Sequence, residues 1–273
     1  TVTVTDEGGQ LRAQTAGLDK VVFNNSYKPA AAVLDGDAAI HGQKTLTGRD
    51  MKEGEFAFQL LDKDNNVVSE TVNSADGSFR FDALTFEEAG DYYYTMVEKN
   101  TELGGITYDT TGYTVKVHVE DKGGHLEASV QYLDPEGTEV SVPDFNNQYG
   151  AKGTQAILAA TKVLEGRELQ AGEFSFVLKD QDGTTLSTAV NDEAGVVQFD
   201  AVSYEEAGEY TYTISEVQGD DSTITYDDTV YNVTVTVTDD GNGNLNASVD
   251  YNGADPVFTN TYKEPAAEEP AQP

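Results

Sequence analysis

The chain has 273 residues, and its 16 Lys and Arg against 49 Asp and Glu give a formal charge of -33 that repels phosphate backbones and anionic lipid surfaces. Nucleic acid and membrane are therefore not expected as partners of this segment. There is no Cys, which excludes a disulfide framework, a thiol nucleophile and a Cys-ligated zinc, and no apolar run approaches the roughly 18 residues of a membrane span.

In chain order, Thr1-Val2-Thr3-Val4-Thr5 alternates as a strand does and lacks the basic-then-apolar opening of a secretory signal, so the sequence reads as a piece of a longer protein. The run Thr3-Val4-Thr5-Asp6-Glu7-Gly8-Gly9-Gln10-Leu11 parallels His118-Val119-Glu120-Asp121-Lys122-Gly123-Gly124-His125-Leu126. Residues 1–27 are thus expected to be the last hairpin of a truncated preceding repeat, loosely held. Ala30-Ala31-Ala32 after Pro29 reads as a connector with little to bury.

From Lys44 the chain repeats itself. Lys44-Thr-Leu-Thr-Gly48-Arg49 and Gly54-Glu55-Phe56-Ala-Phe58-Gln-Leu60 return as Lys162-Val-Leu-Glu-Gly166-Arg167 and Gly172-Glu173-Phe174-Ser-Phe176-Val-Leu178, an offset of 118 residues from Lys44 to Lys162. The same offset carries Glu98 onto Glu216. Two copies are predicted, 28–149 and 150–262, with Gly150-Ala-Lys-Gly153 as a second connector and a Pro-rich acidic spacer over 263–273. Within each copy, Phe56/Phe58/Leu60 and Phe174/Phe176/Leu178 alternate with polar residues and are followed by turn residues. Tyr113/Val115/Val117/Val119 and Tyr231/Val233/Val235/Val237 read as penultimate strands. Short strands at this spacing predict an all-β fold of tandem immunoglobulin-like antiparallel sandwiches.

A phrase of the form Phe-x-Asn-x-Tyr occurs three times: Phe23-Asn-Asn25-Ser-Tyr27, Phe145-Asn-Asn147-Gln-Tyr149 and Phe258-Thr-Asn260-Thr-Tyr262. Alternation in a strand puts Asn25, Asn147 and Asn260 on the same face as the aromatics, while Asn24, Asn146 and Thr259 point outward. The same parity turns Lys44 inward with Ile40, Gly42 and Leu46, and Lys162 with Leu158, Ala160 and Leu164. It turns Glu98 inward with Tyr92, Tyr94 and Met96, and Glu216 with Tyr210, Tyr212 and Ile214. Each copy then holds an amine, a carboxyl and a carboxamide on apolar faces. Burial lowers the pKa of a lysine and raises that of a glutamate, so a neutral amine could attack the amide carbon while a protonated Glu polarises the amide oxygen and passes on the proton that releases ammonia. The expected product is a Lys44–Asn147 and a Lys162–Asn260 isopeptide bond, with Glu98 and Glu216 as the catalytic carboxyls. Asn25 would be the orphan Asn of the truncated repeat. The bland alternative is a lysine snorkelling to water, a glutamate at a strand end and an Asn capping a turn; the recurrence of all three in two copies favours the bond.

These residues carry a family resemblance. Gly90-Asp-Tyr-Tyr-Tyr94-Thr-Met-Val-Glu98, followed by Ile106-Thr-Tyr108-Asp109-Thr-Thr-Gly-Tyr113-Thr-Val-Lys-Val-His-Val119, resembles the streptococcal-type major backbone pilins and their isopeptide-linkage repeats. The resemblance implies CnaB-like (reverse-Ig) sandwiches, an autocatalytic bond between Lys44 and Asn147 promoted by Glu98, and its counterpart from Lys162, Glu216 and Asn260. It further implies an extracellular, cell-wall-anchored pilin or adhesin of a Gram-positive bacterium, whose signal and anchor lie outside this segment. Its partners would be neighbouring repeats or pilin subunits. The chain carries no Leu-Pro-x-Thr-Gly sorting motif, and its copies are tandem and of one type.

The remaining motifs have simpler readings. Asp240-Gly-Asn242-Gly-Asn244 opens like a calcium loop but has Leu245 where Gly is needed, so a hairpin turn is expected and no metal or cofactor is called for. His41, His118 and His125 occur only in the first copy, and Glu87-Glu88 and Glu205-Glu206 read as solvated corners. A ligand-binding module on the same scaffold is the second reading, and an enzyme with turnover the third.

Overall fold

The computed structural model describes residues 1–17 and 22–265. Among them the chain is built of strands, with one short 3-10 turn at Gly36–Ala38 and no α-helix. The Val-, Thr- and Tyr-rich alternation that predicts half-buried strands is realised directly: Gly112–Asp121 buries Val115, Val117 and Val119 and turns Lys116, His118 and Glu120 away from the core.

The first copy packs two sheets face to face. A six-stranded sheet runs in the spatial order Glu139–Val140, Leu126–Leu133, Gly112–Asp121, Gly90–Lys99, Ala57–Leu61, Val67–Val72. Opposite lies a four-stranded sheet in the order Ile106–Thr107, Asp144–Tyr149, His41–Thr47, Ser78–Arg80. Phe58 on the first sheet stacks on Phe79 of the second and lies 5.3 Å from the Phe145 ring, so one aromatic cluster joins the layers. The second copy repeats this with a five-stranded and a four-stranded sheet, and Phe176 meets Phe258 at 5.2 Å. Among the described residues each copy has its own closed core, and these cores share no residue.

Most pairings are antiparallel, with one parallel exception in each copy. The lysine strand His41–Thr47 lies parallel to the asparagine strand Asp144–Tyr149, with Lys44 opposite Phe145 and Asn147 opposite Leu46. Ala159–Glu165 and Val257–Tyr262 repeat that register, with Lys162 opposite Phe258 and Asn260 opposite Leu164. Parallel strands cannot be joined by a tight turn, so the chain closes its lysine strand onto its last strand across nearly the whole copy.

Four expectations need correction. Gly112–Asp121 is not penultimate: Leu126–Leu133 and the short Glu139–Val140 follow before the asparagine strand. The connector after Pro29 is not loose, because Ala32–Leu34 pairs with Leu84–Phe86 and Ala30 N–H donates to Gly124 O at 2.9 Å. Similarly, the 150–153 connector is tied to the second copy, with Lys152 N–H donating to Gly243 O at 2.9 Å. Finally, the hairpin Val2–Asp6/Leu11–Thr15 forms, but residues 22–29 are not a strand, and Phe23, Asn25 and Tyr27 are exposed. With no partner strand beside it among the described residues, the first Phe-x-Asn-x-Tyr phrase has nothing to bury its alternate side chains against. Of the spacer, residues 266–273 lie outside the described residues.

Candidate functional site

In each copy the inward lysine, glutamate and asparagine meet in one buried cluster. The facing sheets supply them separately: the lysine and asparagine come from adjacent parallel strands of the small sheet, and Glu98 or Glu216 from the tyrosine-rich strand opposite. Lys44 Nζ lies 2.8 Å from Glu98 Oε2, and Asn147 Nδ2 donates to Glu98 Oε1 at 2.7 Å. In the second copy the corresponding distances are 2.7 Å for Lys162 Nζ to Glu216 Oε2 and 2.6 Å for Asn260 Nδ2 to Glu216 Oε1. Both lysine and both glutamate side chains are fully shielded from solvent. Phe56 packs beneath the Lys44 amine at 4.9 Å from its ring centroid, and Phe174 beneath that of Lys162 at 4.5 Å.

Burial decides the protonation of this pair. Removing an ion from water costs several kcal/mol even after relaxation, a larger effect than most single contacts repay. Burial pushes Lys44 below the ordinary lysine range, with the neighbouring Glu98 only partly opposing it. Burial likewise pushes Glu98 up, against the opposing pull of Lys44 and Asn147. Lys162 is also depressed, chiefly by burial. Both shifts in the first copy run toward a neutral amine and a protonated carboxyl.

A participant that sequence parity does not reveal is the backbone N–H of Asp109, which donates to Asn147 Oδ1 at 2.7 Å; Asp227 N–H does the same for Asn260 at 2.8 Å. Since a backbone N–H can only donate, it fixes which amide atom is oxygen and turns Nδ2 toward the glutamate. This corrects the expectation that the glutamate polarises the amide oxygen: the carboxyl faces the nitrogen, and the backbone serves the oxygen. The Asp109 carboxylate anchors its own loop by accepting from Asn146 N–H and Thr111 N–H, both at 2.8 Å. Burial alone would raise it, but these donors hold it below the usual carboxylate range. The available signal was the Tyr108-Asp109-x-Thr111 run recurring as Tyr226-Asp227-x-Thr229.

Buried asparagines are not all alike. Asn73 and Asn191 are also buried, but each accepts from a backbone N–H and donates to two backbone carbonyls, which leaves them as turn braces with no charged neighbour. Among the described residues Asn25 makes no hydrogen bond to a lysine or a glutamate. Asp240 caps a hairpin turn through the N–H groups of Asn242 and Asn244, as its spacing predicts. His118 pairs with Asp91 and His125 with Glu127 at the surface. Glu87, Glu88, Glu205 and Glu206 are exposed corners. No group of three or more metal-ligating side chains is assembled among the described residues, and no helix there is long and apolar enough to cross a membrane.

A tandem pair of two-layer β-sandwiches, each with a Lys–Glu–Asn cluster sealed between its sheets, defines a repeat protein whose buried polar groups face each other and not solvent. The chain belongs to the FctA family, described as Spy0128-like isopeptide-containing domains, whose model matches residues 40–150 and 158–263. A pilin of Streptococcus pyogenes serotype M1 is 46% identical over 48 residues, which is 17% of this chain and 14% of that protein. Among solved structures, the major pilin T-13 of S. pyogenes aligns over 86% of this chain and 98% of its own at 16% identity, with a TM-score of 0.33. A pilus adhesin of Lactobacillus rhamnosus GG aligns over 96% of this chain and 33% of its own, at 14% identity and a TM-score of 0.26.

Proposed function

We propose that the chain is part of the stalk or shaft of a Gram-positive surface pilin or adhesin, in which each repeat staples itself once by an intramolecular Lys–Asn isopeptide bond. The observation that carries this reading is the division of labour on the glutamate, with one carboxyl oxygen against the amine and the other against the amide nitrogen. Lys44 Nζ attacks Asn147 Cγ, and the developing negative charge on Oδ1 is met by Asp109 N–H. The Oε1 proton of Glu98 passes to Nδ2, while Oε2 takes a proton from Nζ. The Cγ–Nδ2 bond breaks, ammonia leaves, and Glu98 ends as it began. The fold holds both reactants side by side, an advantage worth roughly 7 to 11 kcal/mol of barrier in well-oriented intramolecular reactions. Nothing turns over, because the product is the domain itself. Lys162, Glu216 and Asn260 follow the same course.

The partners in this reading are neighbouring repeats or pilin subunits, and the setting is the outer face of the cell wall. The family assignment and the pilin relatives support it. Intact mass of the denatured chain tests the chemistry: the expected value is the sequence mass less two molecules of ammonia, and less one for Glu98→Ala. A parent at full sequence mass, or a Glu98→Ala chain that still loses two, overturns it.

A further inference from the structure

Tyr149, which ends the second Phe-x-Asn-x-Tyr phrase, stands at the joint between the two copies. Tyr149 is 5% exposed, and its hydroxyl donates to Asp239 Oδ1 of the second copy at 2.5 Å while accepting from Gly243 N–H at 3.1 Å. The Arg49 guanidinium lies 4.8 Å from the centre of its ring and is itself forked onto Glu55. The backbones touch here: a Cβ on Gly104 would stand 1.9 Å from Asn242 O. Tyr27 repeats the contact one copy earlier, its hydroxyl donating to Asp121 at 2.8 and 2.9 Å, and Asp121, like Asp239, ends the long strand that precedes a glycine turn.

The third tyrosine has the same surroundings and no acceptor. Arg167 lies 5.0 Å from the Tyr262 ring and is forked onto Glu173, and a Cβ on Gly166 would stand 2.5 Å from Tyr262 O, just as Gly48 crowds Tyr149 O at 2.2 Å. Among the described residues the Tyr262 hydroxyl makes no hydrogen bond. We infer that the Tyr262 end of the second copy is a docking face for the Asp–Gly turn of another repeat of this same kind. The turn that fits is set by the neighbouring loop. Where the first copy has Gly104-Gly105, the second has Ser222-Thr223, whose side chains would strike a turn as long as the five residues between Asp239 and Leu245. The turn between Asp121 and Leu126 has four, lacks that projecting Asn, and is the one this end accommodates. The inference does not depend on the covalent bond; it stands equally for a chain whose lysines stay free.

The absence of Cys allows spin labels to be placed cleanly. A copy of residues 28–149 is joined after Tyr262, with label sites at Asp182→Cys and at the position corresponding to Asp64 in the added copy. Electron–electron distance measurement should give a single narrow peak, lost in Tyr262→Phe, while a chain extended with a copy of 150–262 gives a broad distribution. A broad distribution for the 28–149 extension, or a narrow one that survives Tyr262→Phe, overturns the docking face. Equal narrowness for both extensions overturns the matching of turn length. Intact mass taken on the same samples reports the isopeptide bonds separately, so failure of one reading does not obscure the other.

Discussion

Lys44 is depressed and Glu98 raised, and these directions govern the pH dependence expected of the proposed reaction. In the unfolded chain these groups titrate near their ordinary values of about 4.3 and 10.4, so each shift in the fold is linked to stability. A depressed lysine resists a second proton and a raised glutamate keeps the first. By linkage the raised glutamate favours the unlinked fold below its unfolded range and loses that contribution as pH rises through its folded value, while the depressed lysine disfavours the fold wherever the unfolded amine is protonated and the folded one is not. Bond formation in freshly refolded chain should therefore run on a plateau through neutrality. It should slow in acid, where the amine becomes ammonium, and in strong alkali, where the carboxyl has no proton for the leaving nitrogen. Mass spectrometry of quenched time points measures this; a rate that rises steadily with pH would show that the carboxyl proton is not used. Asp109→Pro removes the N–H that serves Asn147 Oδ1 together with the loop-anchoring carboxylate, and Asp109→Ala removes the carboxylate alone, so the Pro variant should react about 10²- to 10³-fold more slowly than the Ala variant, the cost of one such donor. The second copy in the same chain, linking at its parental rate, is the internal control.

Strand parity made the three reacting side chains legible because a strand has only two faces, and an amine, a carboxyl and an amide each recur on the apolar one. The parallel pairing that brings the lysine and asparagine strands together was not legible, since the register between these two strands depends on partners about a hundred residues apart. The Asp109 N–H was hidden for another reason: every residue carries a backbone donor, and only the loop conformation aims this one. The same limit explains the first phrase. Val2 and Val4 pair in the register of Val117 and Val119, with Val4 opposite Ala13 as Val119 is opposite Ala128. Yet Val2 and Val4 are 61% and 56% exposed where their counterparts are buried, because no opposing sheet is present among the described residues. Two strands alone are marginal in water. Hydrogen exchange should find the amides of 2–15 unprotected while those of 112–133 exchange only on global unfolding, and comparable protection in both would mean that the hairpin has found a covering surface.

Across the whole chain the two proposed staples would close loops running from Lys44 to Asn147 and from Lys162 to Asn260, each on the order of 100 residues, for which chain entropy gives up to about 4.7 kcal/mol. Lys162→Ala should lower the melting and protease resistance of the second sandwich and spare the first, as their cores share no residue. The charge of -33 adds a second test. Like charges destabilise a compact chain because the unfolded chain can expand to separate them. A closed loop restricts that expansion and leaves part of the repulsion in the unfolded state. Lowering ionic strength from 0.15 to 0.01 M stretches the screening length from about 8 to about 30 Å and so strengthens this repulsion across a whole repeat. The melting temperature of Lys44→Ala/Lys162→Ala should then fall more steeply on desalting than that of the parent. Calorimetry at the two salt concentrations decides it: parallel shifts would mean that the loops leave unfolded-state electrostatics untouched, and that their stabilisation is conformational entropy alone.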